Sequence, residues 1–171
     1  NPDGSNLVNI TNDAGQHEGH GDWSPDGTKI AFSKGIPNQA VNVWTMDANG
    51  SNQFQVTNMF WDEWSPNWSP DGSQILFHGI FGNWDVVRVN ADGSGLTRLT
   101  DDPGADQAPS WTPENQILFT SHRTQDSIFR MNADGSGVTM IRQGFFSGPR
   151  LEVIPVPEPA TVAALALGAV A

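Results

Sequence analysis

A five-residue signature returns three times along the chain, and its spacing limits the possible folds more than any other feature. Trp-Ser-Pro-Asp-Gly occupies residues 23–27 and 68–72, and Trp-Thr-Pro-Glu-Asn residues 111–115, so the tryptophans step by 45 and then 43 residues. A second signature keeps pace with the first: Asn-Pro-Asp-Gly-Ser-Asn from residue 1, Asp-Ala-Asn-Gly-Ser-Asn from 47, and Asn-Ala-Asp-Gly-Ser-Gly from 90 and again from 132. A third is a short apolar run ending at Ile10-Thr11, Val56-Thr57, Leu99-Thr100 and Ile141-Arg142. Self-similarity at such a period belongs to stacked-repeat architectures, in which one unit cannot bury its apolar face without a neighbour.

Between these anchors lie alternating apolar segments of strand length: Lys29 to Ser33, Val41 to Met46, Gln74 to His78, Trp84 to Val89, Gln116 to Thr120 and Ser127 to Met131. Their period of two predicts strands, and no helical period competes. The Asp-Gly and Asn-Gly pairs between them are hairpin turns, because glycine accepts the positive φ that a tight turn requires. Each repeat then reads as four strands in a meander, with an inner strand ending at the tryptophan and an outer strand after the second turn. That is a β-propeller blade. The predicted fold is all-β, with four-stranded antiparallel blades at about residues 12–57, 58–100 and 101–142 inside a repeat region of 1–154. In the third copy the first hairpin is one residue shorter, and Asn115 is expected to take the left-handed conformation that glycine takes elsewhere.

The run of Trp-Ser-Pro-Asp-Gly, an Ile-Ala-Phe type strand, Asn-Ala-Asp-Gly-Ser and Leu-Thr resembles the TolB-type propeller repeat over about nine tenths of the chain. The resemblance implies a propeller of a kind found in periplasmic and exported bacterial proteins, and also as a non-catalytic domain attached to some peptidases. It does not name a ligand, since fold and function separate easily in this class.

Both ends bear on ring closure. Leu7 to Thr11 reads as an outer strand, and three blades fall short of the four or so that a closed ring needs. The favoured expectation is a part of a larger propeller. The alternatives are a composite blade in which Leu7–Thr11 joins strands from Pro149 to Val156, and rings completed between molecules. Residues 155–171 form a Pro-rich linker and an apolar, small-residue tail too short to span a bilayer. Pro157, Glu158 and Pro159 before that tail resemble the PEP-CTERM sorting signal, without its basic cluster. This resemblance implies export in a Gram-negative bacterium, transient membrane contact, processing by an exosortase-type enzyme, and delivery to the periplasm, cell surface or extracellular matrix. A plain linker and docked tail would share the same residues.

Charge and composition narrow the partners. A net charge of −11 with eight scattered Lys and Arg argues against nucleic acid and anionic membrane surfaces. The chain has no cysteine, hence no thiolate site and no disulfide framework. Glu18, Glu63 and Asp106 each stand five residues before a blade tryptophan, so they are candidates for a ring of carboxylates at one channel mouth, where Ca²⁺ would suit oxygen ligands. The competing expectation is that each caps local N–H groups. His17-Glu18-Gly19-His20 lacks the helical spacing of a zincin and reads as a polar loop tip.

Trp23, Trp68 and Trp111 recur as inter-blade packing residues. Phe60, Trp61 and Trp64 lie around Glu63, and Trp61 and Trp64 have no counterpart in the other copies. They are candidate contacts for a protein or polysaccharide partner. His78 and His122 fall at similar places in blades two and three, and Asn9 and Asn49 match glycosylation acceptor patterns that the strand and turn signatures already explain. No nucleophile elbow, phosphate loop or dinucleotide fingerprint occurs. The expectation is a non-enzymatic binding or scaffold module. A propeller portion of a hydrolase or lyase, and a self-associating subunit of a surface filament or matrix, are the alternatives.

Overall fold

The computed structural model describes residues 3–144 except Gly4, Asn6, Ala14, Gly15, Ile36 and Pro37. Three sheets of four antiparallel strands follow one another along the chain. Blade 1 comprises β1 (His17–Trp23), β2 (Lys29–Gly35), β3 (Val41–Asp47) and β4 (Phe54–Gln55). Blade 2 comprises β5 (Glu63–Trp68), β6 (Gln74–Ile80), β7 (Trp84–Asn90) and β8 (Thr97–Arg98). Blade 3 comprises β9 (Asp106–Trp111), β10 (Gln116–Ser121), β11 (Ser127–Asn132) and β12 (Thr139–Gln143). The six middle strands start at the residues expected from the alternation and run one or two residues further.

The signature motifs make the turns. In Ser-Pro-Asp-Gly the aspartate folds back on its own loop: Asp26 Oδ1 accepts from the Ser24 hydroxyl at 2.7 Å and the Thr28 N–H at 3.0 Å, and Asp71 repeats this with Ser69 and Ser73. In the second turn Asp92 accepts from the Ser94 N–H and hydroxyl, as Asp134 does from Ser136. Such Asx turns satisfy the donors that a hairpin leaves over. Asn115 closes the shortened third hairpin with φ 61°.

The core lies between blades. Ala31, Val43 and Val56 of blade 1 bury against Trp68, Ile75, Phe77, Val87 and Val89 of blade 2. Leu76 and Val86, with Leu99, do the same against Trp111, Ile117, Phe119, Phe129 and Met131 of blade 3. Blade 2 therefore buries both of its faces, as the strand period of two requires when neither face is solvated. Trp68 and Trp111 are each 6% exposed, whereas Trp23, on the outer face of blade 1, is 57% exposed. Inter-blade packing thus describes two of the three recurring tryptophans among the described residues.

Each inner strand carries a bulge. His20, Ser65 and Ala108 have φ of 54°, 55° and 49°, beside register shifts in the pairing of β1, β5 and β9 with their second strands. An inner strand is also a sheet edge whose outward N–H groups need acceptors. The preceding blade supplies them: Asp22 Oδ2 accepts from the Trp68 N–H at 2.8 Å and from Asn67 Nδ2 at 3.0 Å. One blade on, Asn67 Oδ1 accepts from the Trp111 N–H at 2.9 Å.

Two local expectations change. Leu7–Thr11 forms no strand: it is paired with none of the described strands, and an outer strand exists only when hydrogen-bonded to the third strand of its blade. It still lies where an outer strand would, with Ile10 packed on Ile30, Phe32 and Met46. His17–His20 is part of β1, paired with Gly35, Lys34 and Ser33, and not a loop tip. The proposed partner segment Pro149–Val156 and the tail with Pro157, Glu158 and Pro159 lie outside the described residues.

Candidate functional site

The carboxylates before the tryptophans occupy a repeated joint between blades. Glu63 opens β5 and is fully buried. Its Oε2 accepts from the Thr57 hydroxyl and, at 3.3 Å, from the Val43 N–H. Thr57 comes from the outer edge of blade 1, so the carboxylate ties its strand to the preceding blade. Oε1 has no hydrogen-bond partner. Burial pushes the Glu63 carboxyl up to about 7, against the opposing pull of the Thr57 hydroxyl and the Val43 N–H.

Asp106 is the same position one blade later and is equally buried, but it has a cation. Arg123 Nη2 lies 2.7 Å from Asp106 Oδ2, and its guanidinium sits over the Phe129 ring at 4.7 Å. Burial raises the Asp106 carboxyl, while bonds from Ser121, Arg123 and Thr100 oppose the rise. Thr100 is the counterpart of Thr57 and takes the Val86 N–H at 3.0 Å. Asp85, also buried, meets Arg98 at 2.9 Å, and its carboxyl is raised by burial despite Arg98. In blade 1 the joint is made by Thr11 and Glu18, and Glu18 is exposed.

The structure therefore does not bring Glu18, Glu63 and Asp106 to one point. Each sits at its own blade boundary, and among the described residues no three His, Asp or Glu side chains are grouped to hold a metal ion. The recurring threonine was visible in the third signature, but its partner was not, because the two belong to different blades. Arg98 and Arg123 gave no sequence signal, since nothing in the repeat marks a cation there.

The aromatic candidates also separate. Trp61 packs edge-on against Phe81 at 5.1 Å, with the Arg98 guanidinium over that ring. Trp64 meets His20 at 5.4 Å. Phe60 is 97% exposed. It lies in the connection from β4 to β5, at the end of the blades where the inner strands begin. His78 is inside β6, edge-on to Trp84 at 5.1 Å, with Nδ1 accepting from the Ala108 N–H at 3.4 Å. Burial first, and then the neighbouring His20, hold its imidazole down to about 4. His122 lies just beyond β10 and pairs with Asp126 at 3.0 Å, so the two histidines are not equivalent.

Successive four-stranded meanders, with cores between sheets and inner edges joined blade to blade, define a β-propeller. The chain belongs to the TolB beta propeller domain family, whose sequence profile matches residues 2–150. It is 29% identical over 105 residues to an uncharacterized protein of Agrobacterium fabrum, covering 60% of this chain and 35% of that one. A solved TolB structure from Agrobacterium tumefaciens superposes with a TM-score of 0.68 at 26% identity, over 77% of this chain and 50% of that one. TolB from Acinetobacter baumannii gives 0.65 at 24% identity, over 79% of this chain and 34% of its own. The chain thus spans half or less of the length of these relatives.

Proposed function

We propose that the protein is a non-enzymatic binding module, exported in a Gram-negative bacterium, that presents the loop end of its blades to a protein or polysaccharide partner. The carrying observation is Phe60, a large apolar side chain fully presented to solvent at that end. Burial of a phenylalanine from water contributes about 2 kcal/mol, so an exposed one in a loop beside a packed Trp61–Phe81 pair is a ready contact anchor. Membership of the TolB family supports the reading. So does the burial of Glu63, Asp85 and Asp106, of which Glu63 and Asp106 sit in joints between blades. Sorting through Pro157, Glu158 and Pro159 to the cell surface or matrix belongs to the same proposal and rests on sequence resemblance.

The test is a photo-crosslinking amino acid at position 60 in cells that export the protein, with Leu96 at the opposite end as control. A discrete adduct at 60, absent at 96 and competed by unlabelled protein, is expected. Equal labelling at both positions refutes the loop end as the docking face.

A further inference from the structure

The second turn of blade 1 keeps the shape of its copies and differs from them in chemistry. Those of blades 2 and 3 read Asn90-Ala-Asp92-Gly-Ser94 and Asn132-Ala-Asp134-Gly-Ser136, and that of blade 1 reads Asp47-Ala-Asn49-Gly-Ser51, with acid and amide exchanged. The backbone bonds are the same in all three. Asn49 Oδ1 accepts from the Ser51 N–H at 2.9 Å and from its hydroxyl at 2.7 Å, as Asp92 and Asp134 accept from Ser94 and Ser136. Asn49 is exposed, and Asn-Gly occurs nowhere else in the chain.

Three features of this turn prepare the Asn49 amide for attack by the next backbone nitrogen. A side-chain oxygen bonded to the N–H two residues on draws its own carbonyl carbon over the nitrogen one residue on, here that of Gly50. Gly50 has no side chain to shield that nitrogen. The two Ser51 donors lie on the oxygen where negative charge gathers as the new bond forms, the arrangement that stabilises a tetrahedral oxyanion. One restraint opposes them, because the Gly50 N–H is donated to the Asp47 carbonyl at 2.8 Å. That bond must open first, and it lies in an end turn, where local opening costs least.

We propose that Asn49 is a site of spontaneous deamidation in the folded protein. The Gly50 nitrogen gives up its proton and bonds to Cγ of Asn49, closing a five-membered succinimide. The Cγ–Nδ2 bond breaks, and the amide nitrogen takes up a proton and leaves as ammonia. Water then adds to a ring carbonyl and reopens the ring to a carboxylate, so one water is consumed and one ammonia released. Water is the only co-reactant.

Opening at one carbonyl gives aspartate, the residue that blades 2 and 3 carry at this place, so the turn accepts it. Opening at the other gives isoaspartate, which lengthens the backbone beside Gly50, where even a Cβ would run into the Ile10 carbonyl. The fold therefore favours aspartate. The sister turns stay inert, because Ser94 and Ser136 hold the Asp92 and Asp134 carboxyls below their ordinary value and an ionised carboxylate offers no leaving group. The charge gained in blade 1 falls beside Asp47, which Lys29 meets at 2.9 Å. It lies at the end of the blades away from Phe60.

The test is peptide mapping by mass spectrometry of the full chain aged at pH 6, 7 and 8, folded and in urea. In the folded parent the peptide holding Asn49 is expected to exchange its amide for an acid, with aspartate exceeding isoaspartate, while the peptides holding Asn90 and Asn132 stay unchanged. The rate is expected to rise about tenfold per pH unit, in step with the deprotonated nitrogen. Ser51→Ala, checked for an unchanged circular dichroism spectrum, is expected to slow the folded reaction about tenfold by removing one oxyanion donor, and to leave the rate in urea unchanged. Asn49→Asp is expected to match the aged parent in isoelectric point, and Asn49→Gln to keep that of the fresh protein throughout. A folded parent that retains Asn49 while the chain in urea loses it overturns the proposal and assigns protection to the Gly50–Asp47 bond. Equal folded rates for the parent and Ser51→Ala, or a folded product in which isoaspartate prevails, also overturn it.

Discussion

Replacing Glu63 by glutamine is expected to stabilise the protein by an amount that grows with pH. In the folded protein the carboxyl titrates at about 7 instead of its ordinary 4.5, chiefly because burial disfavours the charge. Between those values the native state holds a proton that the unfolded chain has released, so stability falls as pH rises through this window. It is highest below 4.5, and the full loss is present above 7. At about 1.4 kcal/mol per pH unit the loss amounts to about 3 kcal/mol. Glutamine cannot ionise, yet it keeps an acceptor for the Thr57 hydroxyl and the Val43 N–H. Its amide faces the same unpartnered side as the protonated Oε1, so near pH 5 the two proteins are expected to agree within about 1 kcal/mol. Urea unfolding followed by tryptophan fluorescence at pH 5, 6, 7 and 8 measures the gap, and other titrating groups cancel between parent and variant. The gap is expected to open by about 2.5 kcal/mol between pH 5 and pH 8, the rest of the loss lying below pH 5. A gap that does not change with pH refutes the claim that Glu63 is buried without a compensating cation.

The same position one blade later is expected to behave oppositely. Asp106→Asn strips the partly buried Arg123 of its nearest countercharge, leaving Asp102 at 3.7 Å, and is expected to cost about 1 kcal/mol at pH 7 by urea unfolding. His78, held down to about 4 from 6.5, contributes stability that is full above 6.5 and is lost as pH falls through 4, about 3 kcal/mol in all. Its slope opposes that of Glu63 between 4.5 and 6.5, so parent stability is expected to be nearly level there, and His78→Gln to expose a fall with rising pH. Gly93→Ala is expected to cost about 3 kcal/mol, because φ is 86° and the new Cβ would lie 2.8 Å from the Val56 carbonyl oxygen. Gly27→Ala, at φ 69° with open space around it, is expected to cost about 1 kcal/mol. Equal losses at the two glycines would count against the close approach at the blade boundary.

Strands and turns were legible because their causes are local. The alternation from Gln74 to His78 specifies a strand wherever it is placed, and Asp71 closes its turn with Ser69 and Ser73, its neighbours in sequence. The period of the tryptophans likewise specified stacked blades, since a sheet with two apolar faces must be covered on both. Leu7–Thr11 shows the boundary of this reasoning. Its sequence is that of an outer strand, but a strand exists only with a partner, and here its side chains dock without one.

What a buried group becomes was decided by the tertiary structure alone. Glu63 and Asp106 are the same letter of the repeat for practical purposes, an acid five residues before a tryptophan. Arg123 stands beside one, whereas Phe81 holds the place of Arg123 in the preceding blade and only the Thr57 hydroxyl and the Val43 N–H reach the other. That difference arises from residues on a neighbouring strand and sets the sign of a mutation's effect. Phe60, Trp61 and Trp64 are similarly close in sequence, yet packing sends one to solvent and the other two to Phe81 and His20. The sequence by itself determined the blade, because hydrogen bonding and alternation act over a few residues. Which of its side chains meet water, a cation or the next blade was decided in three dimensions, because desolvation depends on every neighbour that the fold brings near.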